Sequence, residues 1–307
     1  MFKVFKRNKH TVTLGLQMSS GALSVMVLDQ AKDKAEQIVD YMSYPINSLD
    51  MMDDVLVNIK KYIAEKKLQG MPCCFVLDDK DYQMLTIDPP DVPAEEIKEA
   101  VKWKVKDLIS LPLEEVMVDV FIIPASNEAA KSLANVIVVH KAVIEQISSW
   151  MEELDLQLKA IDIPELSYRN YLETVGYLEK NIALVLIKEN YGKLIVINRG
   201  SVCFSRHFSL HYKGGLFDEL PDADIALELQ RSLDYYERQL KYIVPPKIVV
   251  VGENITEDKI TASIKDSLNQ QIVAESPAGF EFSEEDRLYT GRLVAVYGGA
   301  LRRGLCA

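Results

Sequence analysis

Little in this 307-residue chain suggests a membrane, a metal or a nucleic acid. No apolar run approaches the ~20 residues needed to cross a bilayer as a helix. The four cysteines, Cys73, Cys74, Cys203 and Cys306, include no CxxC pair. That count and spacing argue against a disulfide framework or a zinc site and fit a reducing compartment. Positive charge is in deficit: Lys and Arg number 35 against 46 Asp and Glu, a formal net charge of -11. Nucleic acid is therefore excluded as the main ligand, because phosphate binding needs clustered cations. No GxxxxGK[ST] loop is present, so the common phosphate cradle is missing too. The basic opening "MFKVFKRNKH" is followed by no long apolar stretch and does not read as a secretory signal.

What remains is an ordinary globular composition, 48% hydrophobic and 26% charged, long enough for two cores. Strand-like segments fall at Thr11–Gln17, Leu23–Leu28 and Gln37–Tyr44. A helix is expected from about Leu49 to Lys67, then the strand "CCFVL". From Asn181 the order recurs. "IALVLIK", "KLIVINR" and "SVCFSRHFSL" are rich in β-formers and separated by turn residues, and a helix from Asp222 to Tyr242 leads to "KIVVVGE". Ile225, Leu229, Ser232, Leu233, Tyr236, Leu240 and Ile243 share one face of that helix at helical spacing. Asp222 is placed to cap its start and Pro245-Pro246 to enforce its end. Two copies of strand-strand-strand-helix-strand point to a duplicated α/β architecture.

An insert of roughly Asp78 to Leu156 separates the copies. It holds a strand at Tyr82–Asp88, the turn "PPDVP", a helix from Ala94 to Ile109, two further strands and a helix ending near Leu156. Ile97, Ala100, Val101, Val105 and Leu108 form the expected buried stripe of the first helix. Trp103 projects roughly 160–200° away from it at 100° per residue. Two readings are open for that side chain: cover for a second layer of its subdomain, or an anchor for a partner peptide.

The run "LTIDPPDVPAEEIKEAVKWKVKDLISLPLEEVMVDVFIIP" resembles the signature region of PilM, the actin-like protein of type IV pilus assembly. So do "AIDIPELSYRNYL", "ALELQRSLDYYERQ" and the ending "VAVYGGALRR". Taken in order these motifs cover about residues 11 to 304, and their character is most similar to MshI-type members of mannose-sensitive haemagglutinin pilus systems. The resemblance implies an α/β, actin-like ATPase fold of the FtsA/PilM type, with duplicated ribonuclease-H-like halves and an inserted α+β subdomain. It would place a basic tail at 1–10, the first half at 11–77 and 157–180, the insert at 78–156 and the second half at 181–307.

Actin-like ATPases grip phosphates between two hairpins, each supplying an Asp for Mg²⁺ and its water, and a Gly for close backbone approach. By the resemblance, Gln17 stands in place of the first Asp, Ser19 of the Gly and Ser24 of a Lys. In the second hairpin Leu186 takes the second Asp position and Lys188 the Gly. The adenosine-contacting segment keeps Gly252 but continues with Glu253 and Asn254. The stretch from Phe208 to Asp224 retains Gly214 and Gly215 and is shorter than the family's closing insertion. These positions read as vestigial: no ATP or Mg²⁺ cofactor is expected, and hydrolysis would need the lost ligands.

Two other clusters have plainer expectations. Cys203, His207 and His211 are spaced by four, which in a strand means ~13 Å, too far for one metal ion. Asp78, Asp79 and Asp81 in "LDDKDY" read as a solvated hairpin turn.

The resemblance implies a non-catalytic cytoplasmic scaffold, peripheral to the inner membrane, that holds the cytoplasmic tail of a PilN-like bitopic membrane protein. Trp103 and Ile109 are its candidate partner-binding wall. Other pilus platform proteins and a homo-oligomer are further partners in that setting. Lys3, Lys6, Arg7 and Lys9 could add weak membrane-surface contact at about 1 kcal/mol each. The alternatives are an actin-like ATPase of the pilus platform and a GspL-like type II secretion adaptor, which would be expected to continue into a membrane span.

Overall fold

The computed structural model describes residues 11–19, 21–30, 36–46, 51–125, 131–177, 181–215, 217–255, 258–260, 264, 268–302 and 304–305. The basic tail at 1–10 and Cys306 lie outside the described residues. The chain divides into two compact units: Met1–Asp78 with Ile147–Leu172 and Ser276–Ala307, and Asp79–Gln146 with Glu173–Glu275.

In the first unit, β1 (Val12–Ser19), β2 (Ala22–Asp29) and β3 (Gln37–Pro45) form an antiparallel meander. The helix α1 (Met52–Lys66) then returns the chain to β4 (Pro72–Val76), which lies parallel to β1. The sheet order is β3-β2-β1-β4-β8, with β8 spanning Gln157–Asp162. β1 and β2 are buried almost throughout, as expected of strands covered on both faces, although β1 alternates apolar residues with Thr13, Gly15, Gln17 and Ser19.

The second unit repeats that order as β11-β10-β9-β12-β13. Its strands are β9 (Ile182–Lys188), β10 (Tyr191–Asn198), β11 (Ser201–Ser209), β12 (Lys247–Gly252) and β13 (Gln271–Ala274). The helix α5 (Asp222–Arg238) precedes β12. The same unit holds a three-stranded antiparallel sheet, β5-β7-β6, of Tyr82–Ile87, Leu133–His140 and Val116–Ile123. Helix α2 (Ile97–Val105) packs on β6. The helices α3 (Lys141–Glu153) and α4 (Pro164–Thr174) follow in sequence between this sheet and β9. Two sheets with one strand order are the duplication expected from the sequence.

The compact units draw their boundaries differently from the sequence division, for reasons of packing. The final helix α6 (Thr290–Ala300) belongs to the first unit, where it lies against β1, β2 and β4. Small residues let it approach. A Cβ on Gly15 would sit 1.9 Å from the Val296 carbonyl oxygen, and one on Gly298 would sit 1.8 Å from that of Ser167. Thr13 Oγ1 donates to the Ala300 carbonyl at 2.8 Å, and Asn170 Nδ2 to that of Gly298 at 3.0 Å. Residues 79–146 belong with the second half because they share its core. Ile123 and Leu133 pack into the cluster around Leu194, Leu229 and Ile248, Asn135 Nδ2 donates to the Val202 carbonyl at 3.2 Å, and Tyr242 donates to that of Pro124 at 2.5 Å.

Two helices end sooner than their spacing suggests. α5 stops at Arg238, because Lys241 takes φ of +61° and turns the chain before the proline pair. Ile243 therefore leaves the stripe and is 82% exposed, while Ile225, Leu229, Ser232, Leu233 and Tyr236 are buried as expected. Pro221 occupies the N-cap without a side-chain bond; Asp222 is the first helical residue and accepts the Ala223 N–H. In the insert, α2 tightens to a 3₁₀ turn over Lys106–Leu108. With about three residues per turn instead of 3.6, Leu108 rotates off the face of Val101 and Val105 and is exposed.

Candidate functional site

Each of the two hairpins can be built from its own register. In the first, Gln17 lies directly opposite Ser24, and Ser19 opposite Ala22 beside the turn glycine Gly21 at φ +67°. Side chains two apart on a strand share a face, so Gln17, Ser19 and Ser24 are grouped as the sequence implied. All three are buried. Ser24 Oγ lies 3.1 Å from Ser43 Oγ and accepts from the Tyr41 hydroxyl at 3.4 Å, so it serves the interior of the sheet. Gln17 Nε2 reaches the Leu77 carbonyl at 3.5 Å, while its Oε1 has no partner among the described residues. A neutral amide at this corner supplies no charge to offset a metal-bound triphosphate.

In the second hairpin Leu186 is buried at the centre of the sheet and lies directly across the ladder from Lys193. Lys188 pairs with Tyr191 and holds its ammonium 5.8 Å from that ring. Gly252 has a packing reason: a Cβ there would meet the Ile187 carbonyl oxygen at 2.1 Å, and the Glu253 N–H donates to that oxygen at 3.0 Å. Gly214, at φ +77°, accepts Asn254 Nδ2 at its carbonyl. Lys259 donates to the Gly215 carbonyl at 2.9 Å and to the Tyr212 hydroxyl at 3.1 Å, and burial lowers its pKa. These glycines serve loop-to-loop hydrogen bonding within the unit.

The acidic run contradicts its expectation as a solvated turn. Asp79 is largely buried, with Oδ1 2.5 Å from the ammonium of Lys193, which has no exposed surface. The Tyr191 hydroxyl donates to Oδ2 at 2.8 Å and Tyr82 to Oδ1 at 3.3 Å, and Lys193 also donates to the Tyr82 hydroxyl at 2.8 Å. His207 Nε2 lies 3.8 Å from Oδ1. Burial alone would raise the Asp79 pKa, but Lys193, the nearby His207 and the Lys188 charge together hold it well below the usual carboxylate range. With Leu186 opposite Lys193, the counter-charge to this buried lysine comes from residue 79 and not from the neighbouring strand. A lysine inside the apolar run "KLIVINR" was the available signal, since a fully buried ammonium needs a partner.

The cysteine-histidine series is not gathered by the fold. Cys203 is buried and its thiol pKa is pushed up to about 11 by desolvation. His207 faces Asp79, and His211 stands beyond β11 with Asp224 3.6 Å away. Among the described residues no group of three or more His, Cys, Asp or Glu could hold a metal ion.

On the insert, Trp103 is 69% exposed, which removes the reading as cover for a second layer. Val101 and Val105 bury the opposite side of α2 against Val116, Val136 and Val138. Ile109 packs at the margin of that cluster and, with Tyr82, Leu111, Val138, His140 and Val143, lines a cavity of about 290 Å³. Trp103 is not among the residues lining it.

The repeated five-stranded sheets, each a meander with parallel additions, define an actin-like ATPase fold. No protein-family model and no curated protein matches the sequence. Solved structures do match. The PilM-PilN type IV pilus biogenesis complex superposes with a TM-score of 0.71 at 16% identity, over 94% of this chain and 98% of that one. The cytoplasmic domain of EpsL, an inner membrane component of the type II secretion system of Vibrio cholerae, gives 0.52 at 12% identity, over 88% and 90%. A Bacteroides thetaiotaomicron protein described as having an actin-like ATPase fold gives 0.51 at 12%, over 87% and 91%.

Proposed function

We propose that this chain is a non-catalytic platform protein of a type IV pilus machine, of the MshI-like kind, working on the cytoplasmic side of the inner membrane. Its task in this reading is to hold the cytoplasmic tail of a PilN-like bitopic membrane protein. The observation that carries the proposal is the near end-to-end likeness to the PilM-PilN complex, which spans the insert as well as both repeated sheets. The likeness to EpsL supports a second reading, an adaptor of type II secretion. Among the described residues, no helix is long and apolar enough to cross a membrane.

A scaffold needs surface, and the insert supplies it. Exposed Trp103 and half-buried Ile109 are the side chains we assign to the partner, because aromatic anchors dominate such interfaces. An extended tail would gain affinity from backbone hydrogen bonds and from apolar side chains seated in pockets. Replacing Trp103 by Ala is expected to weaken tail-peptide binding about tenfold or more while leaving the melting temperature unchanged, since the ring is mostly in water. Calorimetry on the wild type and Trp103→Ala, with a thermal melt beside it, checks both halves of that statement.

Charge speaks against the ATPase alternative. Leu186 cannot bind a metal or orient water, and Gln17 brings no negative charge to hold Mg²⁺. Mg-ATP at millimolar concentration is therefore expected to leave the thermal melt unmoved. A site filled to ~100 times its dissociation constant would add about 2.7 kcal/mol and raise the melting temperature by several degrees.

A further inference from the structure

The helix α6 begins without a side-chain cap. Its N-cap residue, Tyr289, makes no side-chain hydrogen bond to the first turn, and that turn holds no acidic residue. Gly291 is buried, and its N–H has no acceptor among the described residues. A helix N-terminus carries a partial positive charge and unsatisfied donors, which a side-chain oxygen, a water or a ligand ordinarily completes. Here a full positive charge is added to them. Arg292, in the same turn, is 6% exposed. Long helical side chains lean toward the N-terminus, and the Arg292 guanidinium accordingly lies over the Tyr289 ring, 4.4 Å from its centre. The ring face attracts the cation but carries no compensating charge. Arg292 Nε has no hydrogen-bond partner, and among the described residues no carboxylate is paired with this guanidinium.

Lys193 and Asp162 are buried charges too, but Asp79 and Arg302 pair with them. A buried charge is ordinarily paired because desolvation otherwise disfavours it strongly. One left unsatisfied in a folded chain points to an ion or a water that completes it. The surroundings of Arg292 favour an anion. Tyr41 is buried beside it: burial raises the Tyr41 pKa, the Arg292 charge opposes the rise, and Asp286 adds to it. The Tyr41 hydroxyl donates to Ser24 Oγ at 3.4 Å, a long bond for two hydroxyls, and Ser24 Oγ lies 3.1 Å from Ser43 Oγ. The one carboxylate that Tyr41 senses, Asp286, is held by Ser283 Oγ at 2.6 Å. Its neighbours Glu284 and Glu285 are exposed. All of these residues belong to the first unit.

We propose that the first turn of α6 binds a small tetrahedral oxyanion, phosphate or sulfate, between the Arg292 guanidinium and the Gly291 N–H, with the Tyr41 hydroxyl as a third donor. A guanidinium presents two parallel N–H groups to two oxygens of such an ion, and the backbone donor of a helix N-terminus suits another. Because Arg292, Gly291 and Tyr41 are all buried, the ligand is a free ion and not the phosphate end of a larger molecule. No metal takes part, since every group that meets the ion is a donor. The site is separate from Trp103 and Ile109 and does not depend on their assignment to a membrane-protein tail.

The test uses the full chain, purified without phosphate or sulfate, in thermal melts at constant ionic strength. Phosphate in place of chloride should raise the melting temperature by several degrees and saturate in the millimolar range; the general stabilisation by excluded salts grows without saturating. Sulfate should act as phosphate does, and glycerol 3-phosphate and Mg-ATP should not. Phosphorus NMR gives a second readout, a phosphate line broadened by the wild type. Arg292→Met should abolish both effects and, in chloride, melt no lower than the wild type, because it deletes an unpaired buried charge. Arg292→Lys keeps the charge without the fork and should weaken phosphate binding about tenfold. The proposal is overturned if phosphate gives no saturable shift, if Arg292→Met retains it, or if glycerol 3-phosphate or Mg-ATP shifts the melt equally. It is also overturned if a folded Arg292→Met melts far below the wild type in chloride, which would mean that groups within the chain already satisfy the guanidinium. Should Arg292→Met fail to fold, undiminished phosphate binding by Arg292→Lys overturns it.

Discussion

Replacing Asp79 by Asn is expected to destabilise the second unit by about 3–5 kcal/mol, the usual cost of leaving a buried charge without its partner. Lys193 has no exposed surface and gives its ammonium to Asp79 and the Tyr82 hydroxyl. An amide in place of the carboxylate returns only part of that interaction. The melting temperature of this unit should fall by roughly 10 °C. The double variant Asp79→Asn with Lys193→Met should recover part of the loss, because it removes the stranded charge as well. The wild type should also lose stability in acid. The folded Asp79 carboxyl titrates below the ordinary value, so its contribution is full above the unfolded pKa of about 3.9 and is lost as pH falls toward the folded value. Asp79→Asn should flatten that part of the acid profile in thermal melts between pH 6 and the most acidic buffer tolerated (roughly two pH units below the ordinary Asp pKa). An unchanged melt for Asp79→Asn would show that the ion pair is unimportant.

Gly298→Ala should damage the first unit by about 3 kcal/mol or more, at or beyond the upper end for overpacking. The added methyl would stand 1.8 Å from the Ser167 carbonyl oxygen, and the backbone on both sides is held. Asn170 Nδ2 donates to the Gly298 carbonyl, and Thr13 and Gln30 donate to that of Ala300 in the same helix. Gly299→Ala should cost less, because its methyl would press on the Val76 Cγ2 methyl at 2.6 Å and not on backbone. Soluble yield and urea unfolding of the two variants give the comparison; a Gly298→Ala protein as stable as wild type would mean that α6 is not seated as described.

The duplicated strand order was legible because β9 and β12 carry apolar runs between turn residues and β1 and β2 are rich in apolar residues, all four being buried on both faces. The buried face of α5 was legible from its spacing, up to the point where Lys241 adopts a left-handed conformation that no periodicity announces. Gln17, Ser19 and Ser24 were singled out by the resemblance, and the hairpin register places them on one face. Asp79 could not. Its partner is 114 residues away, and a run of three aspartates in a turn looks the same whether solvated or tied to a buried lysine. The placement of α6 on β1 was equally hidden, since the glycines that permit it gain their meaning only from the backbone they approach. Trp103 was visible as an outlier to its stripe; only the fold showed it to be 69% exposed.

In the proposed function this actin-like chain binds a membrane-protein tail without nucleotide chemistry. The most direct measurement is isothermal titration of the full chain with a synthetic cytoplasmic tail of a PilN-like membrane protein that co-purifies with it, run with and without Mg-ATP. Saturable heat of the same affinity is expected in both. Binding that requires Mg-ATP, or no binding in either, would contradict it.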